Sequence, residues 1–325
     1  MISAEGLTKR FGAFTAIEDV SFEVAAGEIV GFLGPNGAGK STTMRILAGV
    51  FPPSHGQVRV AGYDVARQPL QARAAVGYFP ERVSMYTDMT VEHYLTYVGE
   101  MKGRRRRAAR RDAATAMESC SLELVSGRLI GTLSKGFRQR VGIAQALVGT
   151  PRVLILDEPT SGLDPEQVAD MRALVRQLRH ERTVILSTHI LPEVEATCDR
   201  VIIIQRGRVI ALDTPANLNR RVRHGAQILI QVRGPRAAVL AALRAEPGVL
   251  TVEETADAGA PHADVAADIV CATVSTVPER DLREALGGCV ARHGWGLREL
   301  RTRTLTLEEI FLALTADPGS AASQP

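Results

Sequence analysis

The chain has 325 residues, of which 45% are hydrophobic, and its formal net charge at pH 7 is +3. This length and composition are typical of a globular protein with about two domains and a large buried core. The small net charge gives no support to nucleic-acid binding, and no apolar run approaches the ~18 residues that a membrane-spanning helix needs. We therefore expect a cytoplasmic chain without a nucleic-acid partner, which reaches a membrane only through another protein.

The first strongly marked elements flank a glycine-rich segment. The short apolar run Glu28–Leu33 predicts a strand, and Thr42–Ala48 predicts an amphipathic helix. Between them, GPNGAGKS fits the phosphate-binding pattern G-x-x-x-x-G-K-[ST], which requires this strand–loop–helix context. We call residues 34–42 the phosphate loop; its members are Gly34, Pro35, Asn36, Gly37, Ala38, Gly39, Lys40, Ser41 and Thr42.

The residue types of the phosphate loop suit a nucleoside triphosphate. Its glycines let the loop curl so that successive backbone N–H groups face phosphate oxygens, next to the positive end of the following helix. Lys40 then supplies a charge for the β and γ phosphates, and the Ser41 hydroxyl is placed to bind Mg²⁺.

A mainly helical stretch follows. From about Tyr86 to Gly131 the strand signal fades, while Val91–Val98 and Arg107–Cys120 are compatible with helices. We interpret residues 86–131 as a helical subdomain inserted into an α/β core. Arginines cluster at positions 104–107, 110 and 111. A solvated helix face explains them better than contact with acidic lipid headgroups or a polyanion, because no aromatic residues are interleaved to stack on bases.

Two adjacent carboxylates end the next apolar run. Val153–Asp157 reads as a buried strand, and Glu158 follows it directly. Successive strand residues face opposite ways, so the two acids have different tasks. We expect Asp157 to reach Mg²⁺ through its water shell and Glu158 to polarise the water that attacks the γ-phosphate. Strands and helices alternate from residue 1 to about 215, which predicts an α/β fold with a mostly parallel sheet.

A second unit is predicted after Arg221. Its pattern is strand, helix, strand, strand, helix and strand, the βαββαβ order of ferredoxin-like folds. The segments are Gln227–Val232, Pro235–Arg244, Val249–Glu253, 268–274, 278–293 and 297–305, with a polar loop near 255–265. A last helix at 307–314 and a flexible tail from residue 316 complete the chain. The predicted domains are therefore residues 1–220, 226–315 and the tail 316–325.

Three further motifs occur in a characteristic order. They are the signature segment Leu133–Arg140, the D-loop Ser161–Asp164 and the segment Leu186–His189. With the phosphate loop and the acidic pair, they make the first ~215 residues resemble the ATP-binding-cassette (ABC) ATPases. The resemblance implies a P-loop NTPase core that binds ATP with Mg²⁺ and hydrolyses it.

The resemblance also implies roles for single residues. Ser134 and the Gly136 backbone lie at a predicted helix start, which is a ready anion site, and would close on ATP held by the phosphate loop of a second subunit. With one motif set per chain, a head-to-tail dimer with two ATP molecules is implied, either with a second copy or with a homologous ATPase. His189 would hold the γ-phosphate and the attacking water, and Asp164 would couple the two sites. Phe11 matches the adenine-stacking aromatic of the family, with core packing as the competing explanation.

Some residues depart from the family pattern. Glu81 stands where Gln is usual, and Lys135 and Phe137 stand where Gly and Gln are commoner. The Glu81 carboxylate can still bind Mg²⁺ or its water, so we expect activity to be kept. These variants and the C-terminal extension resemble the branch that serves ABC-2-type exporters, whose members move drugs, antibiotics, ions or polysaccharides or serve gliding motility.

The resemblance predicts the ATPase subunit of an exporter, peripheral on the inner face of the cell membrane through separate transmembrane permease subunits. The alternative is a soluble ABC ATPase acting in translation or DNA repair. Translation factors of this kind usually carry two cassettes, and repair ATPases insert long coiled coils, whereas the stretch between Lys40 and Ser134 has no sustained heptads. A nucleotide-binding regulator without turnover is disfavoured, because both Glu158 and His189 are present.

Overall fold

The computed structural model describes residues 1–180, 182–222, 227–254, 269–277 and 281–303. The chain forms two compact units, of which one comprises Met1–Pro215 and the other begins at Ala216. The strands are β1 (Ile2–Phe11), β2 (Phe14–Val24), β3 (Ile29–Leu33), β4 (His55–Val60), β5 (Tyr63–Asp64), β6 (Val76–Phe79), β7 (Val153–Asp157), β8 (Thr183–Thr188), β9 (Arg200–Gln205), β10 (Arg208–Asp213), β11 (Gln227–Arg233), β12 (Val249–Glu254), β13 (Ile269–Thr276) and β14 (Gly296–Arg303). The helices are α1 (Lys40–Leu47), α2 (Pro69–Ala75), α3 (Val91–Met101), α4 (Arg106–Ser119), α5 (Lys135–Leu147), α6 (Pro165–Gln177), α7 (Leu191–Thr197), α8 (Pro215–Val222), α9 (Arg236–Ala245) and α10 (Arg283–Arg292), with single 3₁₀ turns at Glu123–Val125, Ile130–Thr132 and Leu178–His180.

The central sheet of the first unit has the order β10-β9-β3-β8-β7-β6. Five strands from β9 to β6 are parallel, and only the edge strand β10 is antiparallel. Every residue of β3, β7 and β8 is buried, as expected for strands that have helices on both faces of the sheet. The predicted α/β class with a mostly parallel sheet is confirmed.

A second sheet in this unit was not part of that prediction. Strands β2, β1, β4 and β5 form it in this order, and all neighbours are antiparallel. Only Gly12 and Ala13 separate β1 from β2, which is too short for a parallel crossover connection. Its apolar face packs with α1 and β3 in one core, which contains Leu7, Ile17 and Phe32.

The segment predicted as a helical subdomain contains α3 and α4. Helix α3 begins after Thr90, whose hydroxyl accepts a hydrogen bond from the His93 N–H. The buried faces of both helices join α5 in a separate core, with Leu95, Ala113 and Ile143 among its members. Within the described residues, no helix combines the length and the apolar character that a membrane span needs.

The second unit is an antiparallel sheet with two helices packed on one core. The chain order is β11, α9, β12, β13, α10 and β14, and the sheet order is β12-β13-β11-β14. Side chains such as Ile230, Leu243 and Leu286 fill the core between sheet and helices. The predicted loop at 255–265, the helix at 307–314 and the tail from residue 316 lie outside the described residues.

Candidate nucleotide site

The phosphate loop connects the end of β3 to the start of α1, and its path requires glycine at two positions. A Cβ added to Gly34 would lie 2.3 Å from the Ile204 carbonyl oxygen. Gly39, directly before α1, has φ +106°, and its added Cβ would lie 2.6 Å from Ile17 Cγ2. At these two positions any side chain would collide with neighbouring atoms. Glycine therefore allows the path on which the backbone N–H groups of the loop can face a ligand.

The Lys40 ammonium lies across this loop. It donates hydrogen bonds to the Gly34 carbonyl at 2.8 Å and the Pro35 carbonyl at 3.4 Å. It also lies 3.4 Å from Glu158 Oε1. The loop thus holds a nearly buried positive charge at the start of α1. A phosphate bound there would contact both the Lys40 ammonium and the N–H groups at the start of the helix.

Asp157 lies at the end of β7 with one oxygen paired and the other unpaired. Its Oδ1 accepts hydrogen bonds from the hydroxyls of Ser41, at 3.2 Å, and of Ser187. Its Oδ2 is buried and has no hydrogen-bond partner among the residues that the structure describes. A buried carboxylate oxygen without a partner is costly, so a cation or its water shell would satisfy it.

The donor set therefore fits Mg²⁺. Ser41 and Asp157 offer hard oxygen ligands, and Glu81, in the loop after β6, lines a cavity together with Ser41. Within the described residues, no cluster of three or more His, Cys, Asp or Glu side chains could hold a metal by itself. Mg²⁺ does not need such a cluster, because it usually keeps several waters and takes one or two carboxylates together with substrate phosphates.

The site raises the pKa of Asp157. Burial is the largest cause, and the charges of Glu81 and Glu158 act in the same direction. The hydrogen bonds from Ser187 and Ser41 oppose the shift. The carboxylate is therefore held at a cost that a bound cation would remove.

Glu158 lies between two basic groups. Its backbone has φ +52°, and its N–H donates to the Ser187 carbonyl at 3.0 Å. The His189 Nδ1 atom is 3.0 Å from Oε1 and 2.9 Å from Oε2. Since Lys40 contacts the same carboxylate, the buried Glu158 is fixed beside the phosphate loop with its oxygens toward the exposed His189 ring.

Most residues of the predicted site line one cavity of about 480 Å³. The predicted residues along it are Pro35, Asn36, Gly37, Gly39, Lys40, Ser41, Thr42, Glu81, Glu158 and His189. Gly34, Ala38 and Asp157 are not part of its lining. Sequence analysis missed Phe14 and Ala16, which also line the cavity, and it noted Ser161 only as the first residue of the D-loop.

Phe11 is not in the cavity lining. Its ring packs edge-on against Phe51, with 5.7 Å between the centroids, and the Lys9 ammonium lies 5.2 Å from its centroid. Phe14 pairs with Phe11 across the hairpin and leaves 65% of its surface exposed at the cavity edge. Phe14 could have been found in the sequence as a second aromatic residue that follows the short turn Gly12–Ala13.

The serine and glycine of the signature segment belong to a different cavity. Ser134 precedes α5, and its hydroxyl accepts a hydrogen bond from the Phe137 N–H at 3.4 Å. Ser134 and Gly136 line a second cavity of about 290 Å³, which shares no residue with the first. Asp164 caps α6 by accepting from the Gln167 N–H at 2.9 Å and lines neither cavity. One chain thus does not bring Ser134, Gly136 and Asp164 to the phosphate loop.

A further network, not foreseen from the sequence, joins the chain after β7 to the chain after β8. The hydroxyls of Thr160 and Thr188 donate to the buried Glu193 carboxylate at 2.8 and 3.2 Å. Because Thr188 precedes His189, this network fixes the backbone to which the histidine side chain is attached.

Taken together, the residues of the candidate site can bind phosphates, hold a divalent cation and place a carboxylate beside an attacking water.

Comparisons with known proteins identify relatives of this arrangement. The family described as ABC transporter matches residues 17–161. The chain is 34% identical over 318 residues to the linearmycin resistance ATP-binding protein LnrL of Bacillus subtilis, covering 97% of this chain and 98% of the relative. It is 35% identical over 315 residues to the Nod factor export ATP-binding protein I of Burkholderia lata, covering 97% and 96%. A solved structure of an ATP binding subunit of an ABC transporter matches with a TM-score of 0.61 and 32% identity, over 68% of this chain and 92% of that chain.

Proposed function

Since the chain belongs to the ABC transporter family, as an ATPase subunit of the exporter type, we propose that it hydrolyses ATP as a head-to-tail dimer and drives export through separate membrane-spanning subunits. These subunits would hold it at the inner face of the membrane. The alternative of a soluble ATPase in translation or DNA repair is not favoured, because the full-length relatives are a resistance protein and an export protein.

The observation that carries the proposal is the position of Glu158. Its buried carboxylate lies 3.4 Å from Lys40 and 2.9 Å from His189, at a cavity lined by the phosphate loop. In the proposed complex the loop N–H groups and Lys40 bind the phosphates, while Ser41 and Asp157 hold Mg²⁺. When bound, Mg²⁺ neutralises charge that develops on the phosphate oxygens.

Glu158 and His189 then act on the attacking water. A carboxylate beside the γ-phosphate accepts a proton from that water, which is general-base catalysis. His189 is within hydrogen-bond distance of both Glu158 oxygens, so it orients the carboxylate before ATP enters. With ATP present, the half-exposed ring is free to turn and donate to a γ-phosphate oxygen.

The separation of the two cavities supports the proposed dimer. Ser134 forms a helix N-terminal anion site of its own, in a cavity distinct from that of the phosphate loop. Both halves are used at once only if the anion site of one subunit covers the phosphates bound by another. A second copy or a homologous ATPase could supply that half.

Light scattering tests the dimer. In a Glu158→Gln background, in which ATP hydrolysis is slowed, ATP is expected to shift the particle mass from monomer to dimer. Adding Ser134→Arg places a large side chain at the anion site, so the shift is expected to disappear. Ala173→Arg is the bulk control on α6, because Ala173 is exposed and lines neither cavity. A nucleotide-driven dimer that survives Ser134→Arg would overturn the proposed interface.

A further inference from the structure

Lys135 contacts the D-loop of its own chain. It is the first residue of α5, and its Nζ lies 2.0 Å from the position that a Cβ on Gly162 would occupy. The ammonium therefore fills the space that Gly162 leaves open. Gly162 has φ +68°, a left-handed conformation that favours glycine. The two residues fit because one of them lacks a side chain.

The D-loop leads from this contact to the phosphate cavity. Ser161, next to Gly162, lines that cavity. The Ser161 N–H donates to the Glu158 carbonyl at 3.1 Å, and the Leu163 N–H donates to the Thr160 carbonyl at 3.1 Å. A displacement of Gly162 is thus passed through the backbone to Glu158.

Other contacts join α5 to α6 and support the same link. A Cβ on Gly136 would lie 2.8 Å from Gln167 Oε1, so this side chain covers the glycine. Gln167 also donates to both Asp164 oxygens, at 2.9 Å from its backbone N–H and 2.6 Å from its amide. Arg140 donates to Asp170 at 2.7 Å. These contacts hold α6 and its N-cap Asp164, whereas Lys135 reaches Gly162 in the middle of the D-loop.

We propose that Lys135 is a positioning residue that couples the anion site at Ser134 to the phosphate cavity of the same chain, through Gly162 and Ser161. The inference rests on the proposed dimer, in which these two sites hold different ATP molecules. When partner-bound ATP engages the start of α5, Lys135 carries the displacement to the D-loop. Occupancy of one ATP site then changes the geometry at the other.

Hydrogen exchange on the nucleotide-free chain tests the contact without the dimer. Lys135→Met keeps the length of the side chain but removes its ammonium, and we expect the Ser161 and Leu163 amides to exchange about fivefold faster or more. Lys135→Arg retains the charge and is expected to restore slow exchange. Gly162→Ala should also speed exchange, because its methyl group displaces the ammonium. Gly294→Ala, in the other unit, shows how much left-handed strain alone speeds exchange of the neighbouring amides, since Gly294 has the same φ of +68° with open space around it.

Steady-state kinetics tests the coupling. The parent dimer is expected to show a Hill coefficient for ATP above 1, which Lys135→Met lowers toward 1, because coupling between sites is typically on the order of 5–150-fold. ATP affinity of the monomer should stay unchanged. Restoration by Lys135→Arg would separate positioning from a general loss of stability.

Two results would overturn the inference. If Lys135→Met raises KM and leaves the Hill coefficient unchanged, Lys135 is a ligand of the partner-bound phosphate. If neither amide exchange nor the Hill coefficient changes, the contact has no role. Failure of the proposed dimer is recognised separately, because the Glu158→Gln protein would then stay monomeric with ATP.

Discussion

Glu158 has a backbone conformation that L-residues rarely adopt, with φ +52°. Such a residue costs on the order of 1–3 kcal/mol, and it persists where its surroundings fix it. Here the Ser187 carbonyl fixes the N–H, while Lys40 and His189 fix the carboxylate. The strain therefore coincides with the group that is proposed to activate water.

Replacement of that group gives the first prediction. Glu158→Gln keeps the shape and is expected to retain ATP binding, while turnover of the purified protein falls by roughly 10²-fold or more, the scale of a lost general base. ATP binding by fluorescence and phosphate release are the two measurements. Lys40→Ala is the comparison variant, and it should lose ATP binding itself. Unchanged turnover in Glu158→Gln would remove Glu158 from this role.

The buried Asp157 gives the second prediction. Because burial raises its pKa, the folded chain binds a proton more tightly than the unfolded chain does. The free energy of unfolding therefore falls as pH rises through the raised pKa, and the penalty is complete above it. Asp157→Asn removes the charge, so the nucleotide-free variant is expected to unfold at a higher temperature than the parent at pH 7. A gain of 1 kcal/mol corresponds to about 2–4 °C in a unit of this size.

Thermal unfolding of both proteins from pH 7 down to about pH 4 checks the cause. The difference between them should narrow as Asp157 in the parent takes up its proton. A difference that stays constant over this range would show that the charge is not its source.

At this scale the sequence was informative where chemistry dictates residue type. The glycines and Lys40 of the phosphate loop were predictable because only these residues allow the close backbone path and the charge. Ser187 was not, because its contact with Asp157 exists only once β7 and β8 lie side by side. Ser187 lies in the segment Leu186–His189 noted in the sequence, but that motif does not state which strand its hydroxyl faces.

At the scale of elements, α5 is held against the sheet by close backbone packing. Gly77 in β6 is buried, and a Cβ there would lie 2.3 Å from the Ala146 carbonyl oxygen near the end of α5. Gly142 in the same helix would bring its Cβ to 2.7 Å from Phe79 Cε2. The helix that begins with the signature segment thus depends on two glycines for its position.

Gly77→Ala is therefore expected to destabilise the chain. Inserting one methyl group into a tightly packed contact costs about 1–3 kcal/mol of unfolding free energy. Urea unfolding followed by circular dichroism measures the loss. Gly127→Ala is the control, because no atom lies within 4 Å of its added Cβ and its φ is not left-handed. Equal stability of both variants would contradict the packing argument.

Helices with caps were easier to predict than strand partners. The start of α5 follows from Ser134, whose hydroxyl caps it. Helix α10 begins at Arg283, later than predicted from the pattern at 278–293, and the Asp281 carboxylate accepts from the Arg283 N–H. The sheet formed by β1, β2, β4 and β5 was missed, since strand patterns do not state which strands pair.

At the scale of the whole molecule, the proposed partner is a membrane-spanning subunit. The chain is expected to pellet with membranes only when that partner is co-expressed, which fractionation and immunoblotting measure. The competing anchor is the arginine run at residues 104–107, which spans the start of α4. Arg104 and Arg106 pair with Asp112 and Glu100, whereas the structure gives Arg105 no acidic partner among the residues it describes.

Lipid vesicles that lack the membrane-spanning partner distinguish docking on a protein from anchoring in lipid. Weak binding to bare anionic vesicles, unchanged when residues 104–107 are replaced by Ala, is the result expected of protein docking. Strong binding that the Ala replacements remove would identify a lipid anchor and contradict docking as the cause.

The pairing of β3 has a consequence for synthesis on the ribosome. This strand lies between β8 and β9, so Ile29–Leu33 finds no partner in the central sheet until residues 184–203 have been made. At ~5–20 residues per second, about 10–30 s pass between the synthesis of β3 and the synthesis of its partners β8 and β9. During that time the backbone of the apolar strand before the phosphate loop lacks its sheet partners, so we expect the nascent chain to depend on chaperones. A truncated messenger that ends before β8 would yield a product unable to assemble the site.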